Sequence, residues 1–207
     1  MQQRIDDFVT MNADRFIGIA REIWEHPELG FAEHRAQRLL MAPLAAAGFT
    51  IQTGLAGLET AFLATWEGAP GGPTIAILCE YDALNGLGHA CGHNLIGTGG
   101  VLAGVALKNA WPDLPGRIQV IGTPAEEEGG GKVIMVDQGI FRGVDAAMMF
   151  HPGAGQNLVH RGGLACQDVG LTFHGRPAHA AGSPWKGLNA LDALIQTFVN
   201  VGLLRQQ

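Results

Sequence analysis

The chain has 207 residues, of which 47% are hydrophobic and 15% charged, with a net charge of −6; this is the composition of a folded globular chain with one sizeable core, or one domain and part of a second. No basic cluster offsets the acidic balance, which argues against a nucleic-acid partner, and no apolar run reaches the roughly 20 residues that span a bilayer. Cys79, Cys91 and Cys166 are too few and too scattered for a disulfide framework, and the polar, amphipathic N-terminus lacks the apolar core of a signal peptide, so a cytoplasmic protein with no membrane partner is expected.

In chain order, residues 3–25 read as a helix broken at "HPELG" by Pro27 and Gly30, and residues 32–49 as a second helix with Gly48 near its end. Three strand-like runs follow, "FTIQTGL", "TAFLATWEG" and "PTIAILCEY". The last is a continuous apolar stretch of the kind buried on both faces of a sheet. "LIGTGGVLAGVALKNAW" reads as a helix of small apolar residues packed closely on that sheet. "GRIQVIGTPAE" reads as another buried strand, "GKVIMVDQGIF" as a short helix and "DAAMMFHP" as a third buried strand. Strands alternating with helices predict an α/β sandwich with a mostly parallel sheet.

Near residue 160 the character changes. "GGLACQDVGLTFHG" alternates like a strand with one wet face, and "SPWKGLNALDALIQTFVNVGLLRQQ" reads as a helix capped by Ser183 with Pro184 in its first turn. Two domains are therefore expected: residues 1–160 as a first α/β domain, and residues 161–207 as the opening of a smaller second one.

Each buried strand ends in polar residues. "AILCEYD" ends at Glu80 and Asp82, "VIGTPAEEE" at Glu126, Glu127 and Glu128, and "AAMMFHP" at His151, while "GHACGHN" follows the first of them. Taken singly these are ordinary: a lone cysteine is usually a small buried hydrophobe, a lone histidine a satisfied hydrogen-bonder and a glutamate run a solvated face. Taken together they point elsewhere. In open α/β sheets ligands gather beyond the carboxyl ends of the strands. Three adjacent carboxylates there repel one another unless a positive charge sits among them. Cys91 and His93, two residues apart in a tight loop, can turn toward one divalent ion, for which thiolate, imidazole and carboxylate form a mixed ligand set.

"EYDALNGLGHACGHN", "GTPAEEEGGGK", "MMFHP" and "GRPAHAAGSPWKGLNA" together resemble the di-metal aminoacylase and carboxypeptidase G type peptidases. Within that family the sequence is most similar to the amidohydrolase branch that includes the indole-acetyl-amino-acid hydrolases and the aminobenzoyl-glutamate utilisation proteins. The resemblance implies a zinc-peptidase-like three-layer α/β sandwich with the start of a ferredoxin-like α+β lid. It implies two divalent ions, zinc or manganese, held by Cys91, His93, Glu127 and His151. It also implies Glu126 as general base, Asp82 as support behind the metals and His179 as oxyanion donor to a partner protomer, with Asn189 at a substrate-binding lid position. The substrate implied is a small amide, and the lid implies a homodimer. Asn85 stands where relatives commonly carry proline.

Family members run to about twice this length and return from the lid to complete the catalytic sheet, so the resemblance reads the chain as an N-terminal fragment. Three functions compete: a metal-dependent amidohydrolase, a catalytically incomplete chain acting only as a metal-binding or interaction partner, and a metal-independent binding protein on the same fold. Intact Cys91, Glu126 and Glu127 favour the first.

Overall fold

The structure, a computed structural model, describes residues 1–155, 157–159 and 169–206. It divides into two compact units, Met1–Asn157 and Leu158–Gln207.

The first unit opens with two amphipathic helices, α1 (Gln2–Glu25) and α2 (His34–Ala46). Phe16, Ala20 and Ile23 of α1, and Ala36, Leu40 and Leu44 of α2, form the buried stripes that the helical period dictates. Strands β1 (Thr50–Thr53), β2 (Phe62–Glu67) and β3 (Ala69–Cys79) follow, then helix α3 (His93–Ala110), strand β4 (Pro115–Gly122), the short helices α4 (Glu126–Gly129) and α5 (Gly131–Asp137), and strand β5 (Ala146–Met148).

The five strands form one sheet in the order β1-β2-β4-β3-β5. β3 runs parallel to both β4 and β5, whereas β2 runs antiparallel to β1 and β4, so the sheet is mixed. Side chains alternate across it as strand geometry requires. Phe62, Ala64, Trp66, Ile77, Cys79 and Val120 pack against α1, α2 and α3 on one face, while Ala76 and Ile121 pack with Met135 of α5 on the other. These are the three layers of the expected α/β sandwich.

Close contact between α3 and the sheet depends on small residues. A Cβ on Gly97 would lie 2.8 Å from the Glu80 carbonyl oxygen, and one on Gly104 would lie 2.5 Å from Val120 Cγ2. The glycines therefore let the helix lie directly on β3 and β4, which sets its first residue, His93, beside the end of β3.

One expected buried strand differs. β5 is only three residues long and exposed throughout. It lies at the sheet edge, and no strand among the described residues pairs with its outer side. Its apolar sequence alone does not distinguish an edge from a centre.

In the second unit, Arg176 and Leu188 exchange both backbone hydrogen bonds at 2.9 Å. Pro184–Lys186 forms a single 3₁₀ turn, and α6 (Ala190–Leu203) follows. The expected helix start at Ser183 is thus displaced: Ser183 makes no side-chain cap, and Asn189 Oδ1 accepts the Leu191 N–H at 3.1 Å instead. The strand expected over 162–175 is not formed in its described part, residues 169–175, which have no ladder partner among the described residues. The remainder of that stretch, Cys166 included, lies outside the described residues.

Candidate metal centre

Parallel pairing brings the carboxyl ends of β3 and β4 together, Cys79 opposite Gly122. The exits are tied: the Thr123 N–H and hydroxyl both donate to the Cys79 carbonyl, at 2.8 and 3.2 Å. Glu80 and Asp82 leave one strand as Glu126 and Glu127 leave the other. The loop from Leu84 is closed by a reciprocal backbone pair between Leu84 and Gly88, both bonds 3.0 Å, so Asn85 sits in a tight turn. Gly92 then takes φ +80°, and a Cβ on it would also meet Pro152 Cγ at 3.0 Å. This left-handed residue lets the chain turn from Cys91 directly into α3 at His93.

His93 is the centre of the arrangement and is 1% exposed. Its Nδ1–H donates to Asp82 Oδ1 at 2.9 Å, which leaves Nε2 with a bare lone pair. The other carboxylate oxygen of Asp82 accepts the Glu127 backbone N–H, also at 2.9 Å. From His93 Nε2, Glu80 Oε2 lies 3.4 Å away, Glu127 Oε1 3.7 Å and Glu126 Oε2 3.8 Å. Two ligand groups share this histidine. Cys91, His93 and Glu127 offer atoms within 4.8 Å of one another, as do Glu80, His93 and His151. The His151 ring stands edge-on to His93 with centroids 5.8 Å apart, and its Nδ1–H donates to the Pro152 carbonyl at 2.8 Å. Both histidines thus have one nitrogen oriented by the protein and the other free, the usual condition of metal-ligating imidazole.

The electrostatics follow from burial among carboxylates. Burial works against charge on His93, but the Asp82 bond and the nearby Asp82, Glu80 and Glu127 carboxylates outweigh it and hold the imidazole above its ordinary pKa. Burial pushes Asp82 up; the bonds from His93 and the Glu127 N–H prevail and hold it below the usual carboxylate value. Burial, with Glu80 and Glu127 adding repulsion, raises Glu126. The Cys91 thiol is pushed up to about 11, first because Glu127 accepts its proton and then by burial.

Glu80 Oε2, His93 Nε2 and Glu127 Oε1 are all buried without a hydrogen-bond partner. Leaving such atoms unmet costs about 1–3 kcal/mol each. They are lone-pair donors converging on one space, with Cys91 and His151 beside them. A proton on His93 offsets part of the negative charge, and divalent cations held by the two overlapping groups, Glu80-His93-His151 and Cys91-His93-Glu127, would meet these atoms. The residues present therefore fit a metal.

Asp82, Cys91, His93, Glu126, Glu127 and His151 are all in the first unit, around His93. His179 and Asn189 belong to the second unit. His179 lies in an exposed turn where its Nδ1 accepts the backbone N–H groups of Ala181 and Gly182, at 3.2 and 3.0 Å, so the neutral ring carries its proton on Nε2. Asn189 Oδ1 is occupied as the cap of α6. Sequence reasoning assigned no role to Glu80 or to its ion-pair partner Lys132. Position at the end of a buried strand was the signal for Glu80; nothing marked Lys132, since the pairing is tertiary.

The pattern of Peptidase family M20/M25/M40 matches residues 74–202. Mouse Xaa-Arg dipeptidase is 40% identical over 100% of this chain and 51% of its own length. A p-aminobenzoyl-glutamate hydrolase chain of Escherichia coli is 39% identical over 92% of this chain and 43% of its own length. Among solved structures, a dinuclear metal binding peptidase of the M20 family from Bacillus subtilis superposes with a TM-score of 0.59 at 29% identity, covering 69% of this chain and 42% of that one. The chain spans about half the length of the curated relatives it matches. With the family pattern over most of the sequence and the same α/β fold beneath it, the chain belongs to peptidase family M20/M25/M40.

Proposed function

We propose that the protein is a hydrolase of small amides, working with two divalent ions, zinc or manganese, on an N-acyl amino acid, an aminobenzoyl-glutamate-like compound or a dipeptide. The observation that carries this reading is the convergence of buried, unpartnered Glu80 Oε2, His93 Nε2 and Glu127 Oε1 on one space. The names of the relatives, a dipeptidase and an aminobenzoyl-glutamate hydrolase, support the substrate class.

Cys91, His93, Glu127 and His151 would hold the ions, with Asp82 fixing His93 and the backbone of Glu127. When bound, such ions polarise an amide carbonyl and make water more acidic. Glu126 is the base. Its side chain is 44% exposed and faces His93 without being bonded to it, so it is free to move a proton. It takes that proton from the attacking water and gives it to the departing amine. Burial and neighbouring carboxylates raise its affinity for a proton, which suits the second half of that cycle.

His179 is the oxyanion donor, acting from one protomer on the site of a second copy. Its Nε2–H tautomer, set by the Ala181 and Gly182 amides, suits a hydrogen-bond donor. Asn189 lies near the substrate in the same reading. A cytoplasmic location fits a site that depends on a free thiol; Cys79 and Cys91 are both free.

The test is metal analysis paired with hydrolysis. The purified chain is loaded with zinc or manganese and assayed on Xaa-Arg dipeptides, p-aminobenzoyl-glutamate, N-acetyl amino acids and indole-acetyl amino acids. Metal binding with turnover of one class supports the proposal. Metal binding without turnover supports the alternative reading, a catalytically incomplete metal-binding or interaction partner. Failure to bind either metal refutes both.

A further inference from the structure

We infer that Glu33 is a positioning residue that holds the catalytic loop in shape from behind, through the backbone of Ala125. The connection between α1 and α2, residues 26–33, was legible only as a helix break, yet it reaches both strand exits of the site. The Glu28 carbonyl accepts the Ala83 N–H at 2.9 Å, directly after Asp82. The Glu28 carboxylate caps α2, accepting the N–H groups of Arg35 and Ala36 at 2.9 Å. That frees the Glu33 side chain to turn inward. It is fully buried, with Oε1 accepting the Ala125 N–H at 2.8 Å and Oε2 accepting the Thr60 hydroxyl at 2.7 Å. Tyr81, beside Asp82, donates in turn to the Thr60 carbonyl at 2.6 Å.

Ala125 needs such a hold. It is a non-glycine residue at φ 54°, ψ 52°, in the left-handed region that side chains disfavour. This conformation turns the chain from β4 into Glu126 and Glu127. Packing closes on the same point: a Cβ on Gly30 would lie 2.8 Å from Ala125 Cβ, and one on Gly129 would lie 2.3 Å from the Phe31 ring. Glu33 thus acts on the base and the ligand through the backbone and touches neither. The inference rests on the metal-centre reading for its functional consequence, while the clamp itself is a property of the backbone.

The experiment compares Glu33→Leu, Glu33→Gln and the core truncation Leu44→Ala with the wild-type chain. Amide hydrogen exchange is read first, without metal. Glu33→Leu leaves the Ala125 N–H without an acceptor, and exchange across residues 125–128 accelerates by about tenfold or more relative to the rest of the sheet. Glu33→Gln still accepts from Ala125 while its amide donates to the Thr60 hydroxyl, so protection returns. Leu44→Ala lowers the melting temperature without singling out that segment. Cobalt(II) is then titrated as the probe. Glu33→Leu weakens its binding by about tenfold or more and alters the visible spectrum, and Glu33→Gln restores both.

Should Glu33→Leu not fold, Gly30→Ala carries the same comparison, since its Cβ displaces the same backbone. Unchanged exchange at 125–128 in a folded Glu33→Leu or Gly30→Ala chain overturns the clamp. An altered exchange with unaltered cobalt binding overturns its functional role. Failure of the wild-type chain to bind cobalt refutes the metal centre instead, and the exchange data still decide the clamp.

Discussion

Asp82 and His93 form a buried pair, Oδ1 to Nδ1–H at 2.9 Å, in which Asp82 also holds the Glu127 backbone N–H through its second oxygen. One side chain therefore orients an imidazole from α3 and a backbone from the β4 exit. Asparagine has a single acceptor oxygen, and its amide would face one of these donors. Asp82→Asn is expected to lower zinc or manganese affinity by about 10–100-fold, the scale of losing a partner behind a metal ligand. Isothermal titration checks this; unchanged affinity would mean that Asp82 does not orient the site.

Glu126 and Glu127 are adjacent but differ in surroundings. Glu127 Oε1 is buried and grouped with Cys91 and His93, whereas the Glu126 side chain is 44% exposed. Glu126→Gln is expected to reduce turnover by about two orders of magnitude or more with metal content unchanged, because glutamine keeps the shape and cannot take a proton. Glu127→Ala is expected to lose metal. Parallel metal analysis and rate measurement on both variants separate the roles, and loss of metal in Glu126→Gln would reverse them.

Much of this was legible in the sequence because the same residues mark two levels of structure. "PTIAILCEYD" announces a buried strand by its apolar run and a ligand edge by its last residues, and β3 with Glu80 and Asp82 follows. "GHACGHN" announces a tight turn by its glycines, and Gly92 supplies it. What stayed hidden depends on tertiary contact. Glu33 reads as an ordinary surface glutamate at a helix start, and its burial comes from Thr60 and Ala125, 27 and 92 residues away. The exposed edge position of β5 is likewise a matter of topology, which its apolar residues do not encode.

Glu33 also predicts a pH dependence. Burial raises its pKa above the ordinary carboxylate value, against the opposing bonds from Thr60 and Ala125. A raised carboxyl favours the folded state while protonated, and that contribution is lost as pH rises through the folded pKa. Glutamine carries no such cost at any pH. The melting temperature of Glu33→Gln relative to wild type should therefore rise from acid toward neutral pH. A difference that is constant across pH 3–7, roughly the range of carboxyl titration, would show that Glu33 is not destabilised by ionisation.

Cys91 and Cys79 should differ in reactivity. Cys79 is 0% exposed in the core, where burial and the Glu80 charge raise its pKa far above the ordinary thiol, so it should alkylate only on unfolding. Cys91 is partly exposed, and it stands with His93 and Glu127. Zinc should protect it from iodoacetamide, read peptide by peptide by mass spectrometry. Equal labelling of Cys91 with and without bound zinc would remove it from the ligand set.

His179 offers the sharpest test of assembly. Its Nδ1 is committed to the Ala181 and Gly182 amides, which leaves Nε2–H as the donor it can offer to a substrate. His179→Ala is expected to cut the catalytic rate by about two orders of magnitude with little loss of metal, the scale of one oxyanion donor. Action across a dimer makes a further demand. A protein with His179→Ala and one with Glu126→Gln are each expected to keep about a hundredth of the wild-type rate or less, for different reasons. In a mixed dimer, one site combines an intact Glu126 from the first chain with an intact His179 from the second. Mixing should therefore restore activity, up to about a quarter of wild type when the two chains pair at random: half of the dimers are then mixed, and half of their sites are intact. If mixed dimers form and activity does not rise, His179 does not work in trans.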